Sequence, residues 1–353
     1  MVTSYKQRSK NFWESFCKEE VNLRSLIDEG AQAEAVAKMR LMLDLISIET
    51  FELTNSKTDV CKYELVMSGS GDLTTIFMID YCLALKPEML SEKWIFHGTK
   101  PRLGADFKVE MHGFSLGATD FLIYPSLNKE KYKVDIGIFC SKFIGLSKEK
   151  KLGLLFTSLD SSIGETYTVA YIGKIDILYL KKPFKKYITL ADLHQYIEET
   201  INQEGWAKLN NPIELCYAYG QKSENPEEIR NDIFTGYSHN MDTIQYFYND
   251  KSWFKKISNF GVSLGFLFFD NTAFSTKQIS DYHNEFEEKI KKKLQTVNVA
   301  TLIGWATGTR NSYIDFIIYD EAEFISLIKE LNLTEEKLFY RNFMDESEVI
   351  KLN

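Results

Sequence analysis

Apolar and polar positions alternate most clearly near the end of the chain, from Phe260 to Leu331. Short runs rich in aromatic and β-branched residues predict strands there, whereas apolar residues three and four positions apart predict amphipathic helices. The predicted order is strand, helix, strand, strand, helix, with a polar turn between the last two strands. The predicted segments are 260–270, 275–294, 301–307 and 313–319, followed by a helix that ends near Leu331. This order predicts a small sheet that is covered on one face by helices.

The first half of the chain mixes the same two patterns in a different order. Two helices are predicted at the start, and strands with one or two helices across them follow as far as Leu180. The predicted helices are 12–27, a second from about residue 31, 73–85 and 148–161. The predicted strands are 51–54, 61–67, 94–99, 107–111, 120–124, 132–140 and 167–180.

The length of 353 residues favours two domains, because a single hydrophobic core usually stops growing below that size. The boundary is predicted in 181–186, since Pro183 and the four lysines around it are poor sheet residues. The predicted domains are therefore 1–182 and 183–353. The predicted fold class is α+β: each domain is a mainly antiparallel sheet with helices packed on one face, and the C-terminal domain is ferredoxin-like.

Charge and composition narrow the classes of partner. The chain has 42 Lys and Arg against 50 Asp and Glu, for a net charge of −8. This balance argues against general nucleic-acid binding, because phosphate contacts need a positive surface. The polar, basic segment 1–10 has no apolar run behind it, so we expect neither a signal peptide nor a membrane anchor. The five scattered cysteines form no C-x-x-C pair and indicate a reducing, cytoplasmic location.

Several short motifs carry a resemblance to known families. They are Phe12-Trp13-Glu14-Ser15-Phe16; Leu159-Asp160 with Gly164-Glu165 and Ile172-Gly173-Lys174-Ile175; Arg230-Asn231-Asp232 with Gly236; and Gly304-Trp305-Ala306-Thr307-Gly308 through Tyr319. On these motifs nearly the whole chain resembles an uncharacterised two-domain bacterial family, itself similar to domain-of-unknown-function family 695. The C-terminal part is similar to the fold of the regulator of ribonuclease activity B.

The resemblance implies a cytoplasmic protein and, from the regulator, one that binds and inhibits an enzyme. This chain lacks the strongly acidic C-terminal tail associated with that regulator. The regulator's specific target is therefore not carried over to this chain.

Two interpretations of Asp160 and Glu165 are open. Around a predicted helix end they form a carboxylate pair that binds a metal or performs acid–base chemistry. Alternatively, Gly164 ends the helix with a positive φ and both acids face water, which is the interpretation we favour. His239, near Asp242 in a predicted loop, is a weaker site candidate. None of the five histidines has a recognised metal-ligand spacing, so no metal is expected.

Arg310 is the first candidate for contact with a partner. It lies at the predicted tip of the last hairpin, where side chains are exposed, and arginine offers five hydrogen-bond donors. Arg230, Asp232 and Glu165 complete the binding candidates. Alternatively, Arg230 and Asp232 pair with each other and hold down the polar segment that follows.

We predict a non-catalytic cytoplasmic module that binds another protein as an inhibitor, a regulator or a toxin-neutralising immunity protein. Two sheet-bearing domains, the lack of an active-site motif and an acidic surface suited to a basic partner support this prediction. The alternative is a metal-dependent hydrolase or nuclease with a site around Asp160, Glu165 or His239. A third is a small-ligand sensor, which requires an enclosed aromatic pocket. No catalytic residue or cofactor is predicted, although catalysis remains open.

Overall fold

The computed structural model divides the chain into two compact units, and each unit combines separate segments of the sequence. The first unit consists of Met1–Ser47, Leu85–Pro87 and Leu215–Asn353, and the second of Ile48–Ala84 and Glu88–Glu214. The structure describes residues 3–56, 59, 62–111, 113–182, 185–220, 227–331, 337–344 and 348–353. Residues 183 and 184, at the predicted domain boundary, lie outside this description.

This division differs from the predicted domains 1–182 and 183–353. The N-terminal segment belongs with the C-terminal sheet, where the backbone N–H of Tyr5 donates to the carbonyl of Gly261 at 2.8 Å. The segment after the lysine-rich stretch belongs with the second unit, where the hydroxyl of Ser162 donates to the carbonyl of Leu190 at 2.7 Å. These bonds join residues distant in sequence, so local composition did not indicate them.

Each segment predicted to be helical contains a helix. α5 lies where a strand was predicted, and α7 and α8 lie where no element was predicted. Among the described residues, no helix combines the length and apolar character needed to cross a membrane. The helices are α1 (Tyr5–Asp28), α2 (Gln32–Leu43), α3 (Leu73–Ala84), α4 (Lys148–Ile163), α5 (Glu165–Tyr171), α6 (Leu193–Glu204), α7 (Met241–Asn249), α8 (Ser252–Ser258), α9 (Thr276–Val297) and α10 (Glu321–Leu331).

The strands confirm the α+β class. They are β1 (Thr50–Asn55), β2 (Tyr63–Ser68), β3 (Trp94–His97), β4 (Lys108–Met111), β5 (Phe114–Gly117), β6 (Leu122–Asn128), β7 (Lys133–Phe139), β8 (Ile172–Ile177), β9 (Ile188–Thr189), β10 (Tyr217–Tyr219), β11 (Ile233–Ser238), β12 (Ser263–Asp270), β13 (Ala300–Gly308), β14 (Asn311–Ile318), β15 (Phe339–Asn342) and β16 (Ile350–Lys351).

The first unit contains a seven-stranded sheet in the order β10-β11-β13-β14-β12-β15-β16. All of its neighbouring strands run antiparallel. β12 lies between β14 and β15. The helix α9 connects β12 to β13, and the hairpin β13–β14 returns to pair with β12 through β14. The predicted order of strand, helix, strand, strand and helix is confirmed here.

Helices cover both faces of this sheet, whereas the sequence predicted helices on one face. Phe286 of α9 and Phe324 of α10 share one core cluster with alternate residues of β12 and β14. On the opposite face, the ring centroid of Phe343 lies 5.0 Å from that of Phe266 on β12 and 5.5 Å from that of Phe254 on α8. β14 is buried at almost every position, as in strands covered on both sides.

The described part of the second unit holds three smaller sheets: β1-β2-β3, β4-β5 and β8-β7-β6-β9. Most of their strand pairs are antiparallel, as predicted. The pairs β2–β3 and β7–β8 are parallel. A parallel pair needs a long crossover, which α3 provides for the first pair and α4 with α5 for the second.

The same substitution should have opposite effects at Gly153, inside α4, and at Gly164, which caps the C-terminus of that helix. A Cβ at Gly153, inside the helix, would meet its nearest neighbour at 4.0 Å, so Gly153→Ala should raise the free energy of unfolding by about 0.5–1 kcal/mol. Gly164 ends the helix with φ 84° and ψ 149°, a conformation almost restricted to glycine, so Gly164→Ala should lower it by about 1–3 kcal/mol. Urea unfolding followed by circular dichroism measures both, and effects of the same sign would contradict this backbone geometry.

Candidate functional site

The end of the hairpin β13–β14 is held by one buried carboxylate, that of Asp232. Its Oδ2 accepts hydrogen bonds from the backbone N–H groups of Arg310 at 2.9 Å and Asn311 at 3.0 Å. Its Oδ1 accepts the hydroxyl of Tyr313 at 2.5 Å. The pKa of Tyr313 is raised by burial and by this bond, so the hydroxyl stays protonated and donates. Charge-assisted bonds of this kind are strong, and together they define the conformation of the turn.

Close packing around the turn requires glycine at position 308. A Cβ there would overlap with the carboxylate of Asp232. The buried amide of Asn271 adds a further constraint, because it donates to the carbonyl of Gly308 and to the hydroxyl of Ser312, both at 3.1 Å. The hairpin end is therefore a rigid part of the sheet.

Two exposed side chains lie at this end of the sheet, and we call them the hairpin surface. Arg310 is 50% exposed and pairs with Glu227, which is 68% exposed. Phe234 is 55% exposed and lies at the bulge of β11, between the residues paired with Gly308 and Thr307. An ion pair between two exposed side chains contributes little stability, so the Arg310 guanidinium can exchange Glu227 for another carboxylate at small cost.

Arg230 does not pair with Asp232, so the predicted pairing is wrong. Both residues are buried, so neither side chain is available for the predicted contact with a partner. The guanidinium of Arg230 instead binds Asp315 through two bonds, Nη1 to Oδ1 at 2.5 Å and Nη2 to Oδ2 at 3.0 Å. Nη2 also donates to the hydroxyl of Tyr219 at 3.2 Å. Asp315 was not among the predicted site residues, although a carboxylate inside an apolar strand is a sign of a buried partner.

Aromatic rings surround the Arg230 guanidinium. Its central carbon lies 4.8 Å from the ring centroid of Phe343, 4.9 Å from that of Phe266 and 5.6 Å from that of Phe247. Cation–π contacts stabilise a guanidinium that has lost its water. Burial is the largest single influence on the pKa of Arg230 and lowers it, but the attraction and hydrogen bond of Asp315 together with the effects of Tyr219 and Tyr248 outweigh burial, so the pKa is raised. Arg230 is therefore a charged structural residue.

The structure brings Asp160 and Glu165 together in the second unit, and both are buried. Their exposed fractions are 7% and 1%, so the interpretation in which they face water is wrong. The predicted positive φ of Gly164, between them, is confirmed. The carboxylate of Glu165 accepts the backbone N–H groups of Gly71 at 3.2 Å and Lys100 at 2.9 Å. Glu165 therefore contacts backbone inside the unit and does not face an external partner.

Asp160 has an electrostatic environment unlike that of a surface acid. Burial and the nearby charge of Glu165 raise its pKa to about 6, against an opposing effect of Lys100. The Nζ of Lys100 lies 3.7 Å from its Oδ2. Neutral and charged forms of Asp160 are therefore both accessible near physiological pH.

The segment 97–102, whose Lys100 backbone binds Glu165, forms one wall of a cavity in the second unit. The cavity has a volume of about 450 Å³, within the range of small-molecule sites. Lys100, Arg102, His97 and His194 line it, and we refer to it as the second-unit cavity. These four residues were not predicted from the sequence, because His194 is distant from the segment 97–102 that holds the other three, and none belongs to a local motif.

His239 belongs to the first unit. Its backbone N–H donates to the carbonyl of Ile303 at 2.7 Å, and its Nδ1 is buried with no hydrogen-bond partner among the described residues. Its ring centroid lies 6.3 Å from that of Tyr237. Across the described part of the chain, no group of three or more His, Cys, Asp or Glu residues is arranged to hold a metal ion.

Comparisons of the chain with models of protein families, with curated proteins and with solved structures find no match. The resemblance to the two-domain bacterial family stays a prediction.

Replacing one residue of the buried pair Arg230–Asp315 should destabilise the protein much more than replacing both residues. Asp315→Ala leaves the guanidinium buried without its counter-charge and should lower the free energy of unfolding by about 3–5 kcal/mol. Replacing both residues, as Arg230→Met with Asp315→Leu, should recover most of that loss, because no charge is then stranded. Urea unfolding measures the three proteins. Lys289→Ala, which removes one member of an exposed pair in the same unit, is the control and should change little. A double variant as unstable as Asp315→Ala would contradict this account.

Asp160 should make stability depend on pH in a defined direction. The pKa is raised from 3.8 to about 6, so the folded state binds the proton more tightly than the unfolded state between those two values. The free energy of unfolding should therefore fall as the pH rises through this range, by about 2–3 kcal/mol from this group. Asp160→Asn should remove that contribution. Urea unfolding of both proteins between about pH 4 and 7 measures it, and identical pH profiles would show that the group titrates normally.

Proposed function

We propose that the chain is a non-catalytic protein-binding module and that the hairpin surface is its contact site. One observation carries the proposal: the buried Asp232 carboxylate holds the turn, and the exposed Arg310 side chain extends from it. A contact residue on a rigid element loses little conformational entropy when it binds. The exposed Phe234 at the same end of the sheet adds an apolar anchor.

The residue types at this surface favour a protein partner. Arginine and aromatic residues are enriched at the centre of protein interfaces, where a few side chains supply most of the binding energy. The guanidinium of Arg310 suits a carboxylate or a group of backbone carbonyls on the partner. The net charge of −8 favours rapid encounter with a basic partner.

The more specific parts of the proposal come from the resemblance. A cytoplasmic inhibitor, regulator or immunity protein agrees with the bacterial family that the motifs resemble. The order β15-β12-β14-β13, with α9 and α10 as the connecting helices, is that of a β-α-β-β-α-β motif and supports a ferredoxin-like C-terminal part.

The contacts of Glu165 favour this proposal over the metal-dependent hydrolase or nuclease. Its carboxylate accepts two backbone N–H groups and ties two segments together. These two hydrogen bonds are sufficient to explain why the Glu165 carboxylate is buried beside Asp160.

Affinity capture tests the hairpin surface. The full chain, immobilised in a native lysate of its source, should retain a stoichiometric protein partner. Arg310→Ala and Phe234→Ala should each weaken binding of that partner by about tenfold or more, as expected for residues at the centre of an interface.

Lys289→Ala removes an exposed cation from α9 of the same unit and should bind the partner as the wild type does. Full retention of the partner by both hairpin variants would contradict the proposed surface. The absence of any stoichiometric partner would contradict the proposed function.

A further inference from the structure

The second-unit cavity carries more positive than negative side chains, although the chain as a whole is acidic. Lys100 and Arg102 line it, and Asp80 is the one carboxylate among its described lining residues. Behind the lining, the Oδ2 of the buried Asp160 lies 3.7 Å from the Nζ of Lys100 and offsets part of its charge. Asp80 accepts a hydrogen bond from the amide of Asn211 at 2.9 Å, and burial raises its pKa. In a chain with a net charge of −8, a lining with two cationic side chains and one carboxylate favours an anionic ligand, chiefly through Arg102.

The junction between α4 and α5 holds both cationic residues in place. The N–H and carbonyl groups of Lys100 bond to the carboxylate and the N–H of Glu165, at 2.9 and 3.0 Å. The Nε of Arg102 donates to the carbonyl of Ser162 at 2.8 Å. The buried Glu165 thus positions the backbone that carries the cations, and prepositioned groups bind a ligand with less loss of entropy.

Donor groups in the cavity are left for a ligand. Within the described residues, Nε is the one nitrogen of the Arg102 guanidinium that has a protein acceptor, so its two terminal nitrogens are available. The ring of His194 also lines the cavity and stacks on Tyr167, with centroids 4.9 Å apart and an angle of 20° between the planes. The hydroxyl of Tyr167 donates to Glu198, which holds the stacked pair.

We infer that the second-unit cavity binds a small organic anion through one oxyanion group, a phosphate monoester or a carboxylate, held by Lys100, Arg102 and His194. Phe96 and Ile163 also line the cavity and offer apolar surface to the rest of the ligand. A volume of about 450 Å³ limits that ligand to the size of a small metabolite. The inference does not depend on the hairpin surface.

The ring of His194 reports whether the site is occupied. Its pKa is lowered by burial and by the positive charge of Arg102; Lys208 adds to the lowering, and Glu198 opposes it. An oxyanion beside Arg102 offsets that positive charge and favours the imidazolium form. Binding should therefore raise the pKa of His194.

The test uses the full chain and nuclear magnetic resonance of the histidine ring protons, with the His194 signal identified by its loss in His194→Gln. The probes are inorganic phosphate, phenyl phosphate, acetate and benzoate, and sodium chloride at equal ionic strength is the control. We expect a saturable shift of the His194 signal and a raised pKa with the phosphate pair or with the carboxylate pair. The pair that acts identifies the oxyanion.

Variants of the same unit show whether the cations bind the probe. Lys100→Gln keeps both backbone bonds to Glu165 but removes the ion pair with Asp160, so the double variant Lys100→Gln with Asp160→Asn is measured beside it. Lys100→Gln and Arg102→Gln should each weaken binding by about tenfold or more, the effect of losing a hydrogen bond to a charged group. Arg102→Lys keeps a cation and should bind better than Arg102→Gln. Lys174→Gln, at a residue that is 73% exposed and outside the cavity, should bind as the wild type does.

Thermal unfolding of each variant separates loss of binding from loss of fold. The inference is overturned if no probe gives a saturable shift beyond that of chloride. It is equally overturned if Lys174→Gln weakens binding as much as Lys100→Gln, since the shifts would then reflect general charge screening only.

Discussion

Arg230 and Asp315 are both fully buried, and the cation–π contacts of Arg230 offset only part of the hydration that the two charges have lost. Two hydrogen bonds between guanidinium and carboxylate meet the remaining need, and they require the segment before β11 to lie against β14. A broken pair would leave one charge unpaired in the core, which costs far more than an exposed pair contributes. The ion pair therefore determines where this segment lies, and with it the position of Asp232, which holds the hairpin end.

A buried carboxylate also holds a backbone segment in place in the second unit. Glu165 binds the backbone of Lys100 much as Asp232 binds the backbone of Arg310. In both places the acid acts from inside the fold, and the cations beside it are the groups for which we propose contact with a partner or ligand. An acid that is nearly or fully buried cannot meet a partner, but it can position the loop that does.

The α+β class and the order of elements in the C-terminal part followed from apolar periodicity, since burial on one side imposes a period of about 3.6 residues on a helix and 2 on a strand. The segment 167–171 shows where this reasoning stops. Tyr, Thr and Val favour strands, yet the segment forms α5, where the hydroxyl of Thr168 bonds back to the carbonyl of Gly164 at 3.0 Å. Local propensity gives way to packing in a segment this short.

Sequence alone determined the kinds of element, their order at the C-terminal end, the exposed tip that carries Arg310 and the glycine with positive φ at position 164. Only the tertiary structure decided that residues 1–47 join the C-terminal sheet, that Arg230 binds Asp315, and that Lys100, Arg102 and His194 line one cavity. Periodicity and turn chemistry act over a few residues, so they are visible along the chain. The pairing of buried charges and the lining of a cavity depend on which distant segments meet, and that is decided only when the whole core packs.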